Sequence, residues 1–247
     1  MIPGTQEGRS AISAATILSD LYEGMNRHFG DLHWWPGESP LEIMIGAILT
    51  QNTAWRNVEK AIRNLKEQQF IQIEKILQAA PERIEELIRP AGFFRLKTER
   101  LRNLLFFIKK DYKGSLERMF EEDVWILRKK LLQVRGIGEE TADSILLYAG
   151  GKPVFVIDAY TRRVLLRHRL IREDMTYGEL QRFFMDHLSR DATLYNQYHA
   201  LFVELGKSFC TKVPQCDACP LRAFAPRYEP IAIKIAGEGK CYLKSEI

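Results

Sequence analysis

Apolar residues recur at three- and four-residue spacing along almost the whole chain, and this period constrains the fold more than any other feature. Leu41, Ile45, Ile48 and Leu49 fall on one face of a helix, as do Val58, Ile62 and Leu65, then Ile84, Leu87 and Ile88, then Leu101, Leu104, Leu105 and Ile108. Between these segments stand Pro36-Gly37, Pro40, Pro81, Pro90 to Gly92, Gly114, Gly136 to Gly138 and Gly150 to Pro153, the residues that end helices and begin turns. The one β-like run, Pro153 to Ile157, closely follows Gly150-Gly151 and reads as an extended connector. An all-α bundle of short helices is the expectation, with no internal repeat and no low-complexity tract.

At 247 residues the chain can bury a sizeable core without disulfides. Its 46% hydrophobic and 28% charged residues exclude a disordered chain or a disulfide scaffold. No stretch approaches the ~20 apolar residues of a membrane span. Met1 to Asp20 lacks an apolar segment behind a basic start, so no secretory signal is expected and a cytoplasmic location is. The net charge of +4 is a weak pull toward a polyanion, and an ordinary solvated basic surface explains it equally well.

The most informative segment runs from Leu131 to Leu146, where Gly136-Ile137-Gly138 joins two apolar-periodic helices. Glycines there permit positive φ and close backbone approach, and the following helix presents unpaired N–H groups and the positive end of its dipole. Such a turn accepts a phosphate and grips a nucleic-acid backbone without reading bases. Gly136, Ile137, Gly138 and Thr141 are therefore candidate DNA contacts, beside the plainer reading that the glycines stop one helix and start another. Eighteen positions after Glu140, Asp158 opens the next periodic run, where an Asp is also an ordinary N-cap.

Taken together, the hairpin, Asp158, the loop Ile48 to Thr53 and the segment Leu205 to Cys210 resemble the helix-hairpin-helix (HhH-GPD) DNA glycosylases of the endonuclease III superfamily, over roughly residues 15 to 225. The resemblance implies two helical lobes with a DNA-binding cleft between them, and double-stranded DNA carrying a damaged base as the partner of a monomeric enzyme. It implies that Gln51, with Asn52 as the adjacent candidate, fills the gap left by a base rotated out of the stack. It makes Asp158 the catalytic carboxylate, stabilising positive charge on the sugar and orienting water. Bifunctional members carry a Lys two places after the second hairpin glycine; here that residue is Glu140, and a carboxylate cannot form an imine. A monofunctional glycosylase follows, with Glu140 helping to position water or standing as a solvated first-turn residue. Lys207 is an amine elsewhere that leaves weak lyase activity open.

Leu32-His33-Trp34-Trp35-Pro36, ahead of the Gln51 loop, resembles the 3-methyladenine branch of the same superfamily. Trp34, Trp35 and Pro36 are the candidate base pocket, because alkylated purines are flat cations that gain stacking and cation–π attraction. Core packing is the competing role of the paired tryptophans, and Trp55 is a weaker candidate of the same kind.

Four cysteines in an intracellular chain point to metal ligation rather than disulfides. Cys210, Cys216 and Cys219 are spaced to bring three thiolates together. The family's iron-sulfur pattern is C-x6-C-x2-C-x5-C, so the first gap here is one residue short and Ala225 stands at the usual fourth position. Three readings stay open: Cys241 completes a [4Fe-4S] cluster, a three-thiolate cluster survives, or the site is vestigial. Zinc suits four thiolates as well.

The expected organisation is a bundle lobe over 35–149 that includes the hairpin, a second lobe of 1–34 with 150–230 that holds the cysteines, and a tail over 231–247. The expected function is base-excision repair, releasing an alkylated purine of the 3-methyladenine type. The alternatives are a glycosylase for mismatched, deaminated or oxidised bases, and a non-catalytic module that binds damaged DNA.

Overall fold

The computed structural model describes residues 13–34 and 37–224; Trp35, Pro36, Ala225, Cys241 and the expected tail lie outside the described residues. Among the described residues the regular structure is all helical and no strand is present. Pro153 to Ile157 runs as an extended connector with Val154, Phe155 and Val156 fully buried. The chain divides into two compact units.

The first unit is the described part of His33–Val156 with Arg190–Gln197. It contains α2 (Pro40–Leu49), α3 (Trp55–Glu67), α4 (Ile73–Gln78), α5 (Pro81–Ile88), α6 (Phe94–Tyr112), α7 (Leu116–Glu121), α8 (Val124–Gln133) and α9 (Glu139–Ser144), preceded in the chain by α1 (Ala14–Phe29) of the second unit. α9 runs on into a single π-helical turn, Ile145–Ala149. The periodic residues of the sequence meet in one core: Ile45, Ile48, Leu49, Val58, Leu65, Ile84, Ile88, Leu101, Leu104, Leu105 and Ile108 are all sealed from solvent, with Leu41 packed at the edge. Local chemistry sets the ends of the helices. Ser39 caps α2 through the Glu42 N–H at 3.2 Å with Pro40 in its first turn, and Asp123 caps α8 through Trp125 and Ile126.

Helices α8 and α9 form the hairpin. A two-pronged ion pair clamps them: Arg128 Nε and Nη2 lie 2.6 and 2.9 Å from the Asp143 carboxylate, which is 0% exposed. Planar fork-to-carboxylate pairing fixes direction as well as distance, so the pair sets the angle at which one helix enters the turn and the other leaves it.

The second unit is the described part of Met1–Leu32, Ile157–Ser189 and Tyr198–Ile247. It holds α1, α10 (Ala159–Arg167), α11 (Tyr177–Met185) and most of α12 (Ala192–Ser208). An aromatic knot centres it. Tyr198 stacks on Phe202 with centroids 5.1 Å apart, meets Tyr22 and Phe184 edge-on, and donates to the Leu18 carbonyl at 2.7 Å. The hydroxyl thereby ties α12 to α1 at a buried point where an unmade bond would be costly.

Candidate functional site

The hairpin turn is built around Gly136. Its φ of +97° suits glycine, and a Cβ there would stand 2.3 Å from Arg100 Cγ. Ile137 is 5% exposed and points into the core, so it anchors the turn rather than facing outward. Gly138 is exposed, precedes α9 and supplies no side-chain cap to its first turn. Glu139 and Glu140 are exposed on that turn, and the Glu140 carbonyl accepts from Ser144 Oγ at 2.7 Å. Thr141 is buried, so its hydroxyl works inside the unit.

That hydroxyl accepts from Gln51. The Gln51 amide donates to Thr141 Oγ1 at 2.9 Å and to the Gly136 carbonyl at 3.2 Å, and its Oε1 accepts from Arg100 Nη1 at 2.5 Å. Every polar atom of the Gln51 side chain is thus engaged in holding its loop against the hairpin. Asn52 differs: it is exposed and sits at a φ of +51° at the loop tip.

Lys97 forms the floor of this loop. Its Nζ donates to the carbonyls of Leu49 at 2.7 Å and Ala91 at 2.8 Å and to Thr53 Oγ1 at 3.1 Å, and the residue is 1% exposed. Three acceptors use all three ammonium protons. Burial first, then the Arg100 charge, bring its pKa down to about 8. The lysine joins the Gln51 loop to the turn over Arg89–Ala91, beyond which Phe93 stands 67% exposed at a left-handed φ of +45°. An aromatic side chain held outward on strained backbone is a functional signal that no sequence period could reveal.

In the second unit Asp158 is the N-cap of α10, and Oδ1 accepts from the Thr161 N–H at 2.7 Å. Oδ2 lies 3.6 Å from His199 Nε2; the two side chains are 10% and 6% exposed. Burial lowers the His199 pKa against the opposing pull of Asp158, so the imidazole is neutral at pH 7. One carboxylate oxygen is therefore fixed by backbone and the other faces a histidine that sequence reasoning missed.

Trp34 is half-buried, and its expected pocket partners Trp35 and Pro36 lie outside the described residues. Trp55 packs on the core of the first unit at the start of α3. Cys210 is buried, and Cys216 and Cys219 are half-buried on a turn after α12; with His168 and Arg167 they line one small cavity of about 40 Å³. Burial, reinforced by Cys210 and Cys216, raises the Cys219 thiol, whereas burial brings His168 down to about 4. Cys241, the expected fourth ligand, lies outside the described residues.

Comparison with known proteins places the chain in a family. The family model described as HhH-GPD superfamily base excision DNA repair protein matches residues 45–190. A Methanocaldococcus jannaschii protein named "Putative DNA repair glycosylase" is 46% identical over 210 residues, covering 84% of this chain and 95% of that one. The crystal structure of H. pylori 3-methyladenine DNA glycosylase bound to 1,N6-ethenoadenine superposes with a TM-score of 0.67 at 32% identity, covering 79% of this chain and 98% of that one. A non-covalent endonuclease III–DNA complex gives a TM-score of 0.74 at 25% identity, over 86% of this chain and 95% of that one.

The Lys97 floor predicts a pH signature. Folded Lys97 releases its proton near pH 8, while the unfolded side chain keeps it toward 10.5, so the unfolded state binds more protons in between. The stability of the parent protein should rise relative to Lys97→Met as pH climbs through that window. Denaturant titrations across it check this, and a pH-independent difference would show that Lys97 carries no such burden.

Proposed function

The chain belongs to the HhH-GPD superfamily of base excision DNA repair proteins and is a DNA glycosylase, and from that premise we propose that it releases alkylated purines of the 3-methyladenine type by hydrolysis alone. The observation that carries the reading is the divided Asp158 carboxylate, one oxygen held by the Thr161 N–H and the other facing His199, with only a tenth of the side chain exposed. As the glycosidic C–N bond breaks, the base takes the electron pair and positive charge develops on the deoxyribose. A fixed anion in a site of reduced dielectric stabilises that charge without reorganising. Water then bonds to the sugar carbon and gives up its proton, for which the carboxylate is a ready acceptor. An alkylated purine is already cationic and leaves neutral, so a single anionic group suffices.

Hydrolysis alone is supported by Glu140, which stands where an imine-forming amine would be required. The purine assignment is supported by the likeness to the H. pylori enzyme and by Trp34, Trp35 and Pro36 as stacking surfaces for a cationic ring. The hairpin from Gly136 to Gly138 offers backbone amides to a phosphate. Gln51 is a positioning residue for the hairpin in this reading. Asn52 and the outward Phe93 are the groups that enter the duplex, a polar plug and an apolar wedge. An iron-sulfur cluster on Cys210, Cys216 and Cys219 would supply a structural cross-link for the loop after α12, with no part in base release.

Asp158→Asn keeps a competent N-cap and should lower base release by roughly 10²–10³-fold while DNA binding stays near the parent level; equal release by both proteins removes Asp158 from the mechanism. A panel of duplexes bearing alkylated, oxidised, deaminated or mismatched bases should show fastest release from the alkylated purine, and preference for any other class overturns the substrate. Borohydride should trap no covalent adduct between the parent protein and lesion DNA; efficient trapping would establish an amine nucleophile. Asn52→Ala and Phe93→Ala should slow release from duplex DNA far more than from single-stranded DNA, where no gap needs filling. Equal slowing on both substrates would sink the wedge assignment.

A further inference from the structure

We infer that His168 is the fourth protein donor of a metal centre built by Cys210, Cys216 and Cys219 in the second unit, a Cys3His set that requires neither Ala225 nor Cys241. All four residues line the same cavity of about 40 Å³. The His168 Nδ1 atom is sealed from solvent and has no hydrogen-bond partner. A buried polar atom left unpaired costs free energy on folding, and an ion is one of the few things that repays it.

The surroundings fit anionic sulfur. Arg167 and Arg222 line the cavity, and Arg167 Nη1 stands 3.3 Å from Cys210 Sγ. His168 is also brought to the loop by structure independent of any metal. It caps the C-terminal end of α10, and that helix grips the cysteine segment through Arg163 Nε to the Cys210 carbonyl at 2.7 Å and Arg167 Nη1 to the Thr211 carbonyl at 2.6 Å. Among the described residues no three His, Cys, Asp or Glu side chains already stand at metal-holding separation. All four donors border one cavity, where a bound metal would draw their sulfur and nitrogen atoms together. A tetrahedral zinc ion and an iron-sulfur cluster both accept thiolate and imidazole donors, so the donor set is the proposal and the measurement assigns the metal.

The test uses the full chain, purified without oxygen and analysed for iron, acid-labile sulfide and zinc. The parent should hold either an iron-sulfur cluster with visible absorption or one zinc ion per chain, and either result supports the donor set. X-ray absorption at the metal edge should show a nitrogen donor beside sulfur, and His168→Cys should retain the metal with that nitrogen signal replaced by sulfur. His168→Ala should lower the chelator concentration that strips the metal by roughly tenfold or more, and Cys241→Ser should leave it unchanged. Where His168→Ala fails to fold, the His168→Cys spectrum decides alone. A metal-free parent, or a metal that survives His168→Ala and is lost in Cys241→Ser, overturns the proposal. Base-release rates enter none of these readouts, so the donor set and the glycosylase mechanism fail separately.

Discussion

The contact between Arg100 and Gly136 organises the part of the first unit where the hairpin turn meets the Gln51 loop. With no Cβ at Gly136, the arginine stem lies directly against the turn, and the guanidinium reaches Gln51 at 2.5 Å. Gln51 then spends its amide on the Gly136 carbonyl and on Thr141. A turn, a loop and the long helix α6 are thereby held by one arginine. Because each bond in this group shares a partner with the next, losing one frees the others to move, the cooperative behaviour expected of part-buried polar networks. The Arg128–Asp143 pair performs the complementary task for the hairpin helices, setting direction where the Arg100 group sets position.

In the proposed mechanism Asp158 combines a structural role, as the N-cap of α10, with a chemical one. Capping requires one oxygen to accept a backbone N–H, and the other oxygen remains available. That division fixes the carboxylate more firmly than a freely rotating side chain could be fixed, and leaves its second oxygen 3.6 Å from His199 Nε2. The N-cap role and the proposed catalytic role are thus compatible with the same geometry, and in that proposal the capping bond supplies the preorganisation that electrostatic stabilisation needs.

Much of the fold was legible because a helix repeats. Ile45, Ile48, Leu101 and Leu105 recur at the helical period, and each is fully buried. The hairpin glycines and Asp158 were visible for a related reason, since turn and cap chemistry act over three or four residues. What escaped notice acts over long separations. Lys97 binds the Leu49 carbonyl across 48 positions and would pass for a solvated charge on a helix. Phe93 looks like one of a pair of core phenylalanines until its positive φ turns it outward. Gln51 was expected from the resemblance to fill the gap in the duplex, and the partners that hold its side chain here lie 49, 85 and 90 positions away.

By itself, the sequence determined the helical class, the hairpin, the absence of an imine-forming amine at position 140 and the acidic cap at 158. All of these follow from side-chain chemistry or from contacts between near neighbours in the chain. Only tertiary structure decided which loop residue stays outward, which histidine faces Asp158, and that His168 shares a cavity with three cysteines. Those outcomes depend on which distant polar groups burial forces together, because a donor or acceptor removed from water must find a partner wherever the packed chain brings one.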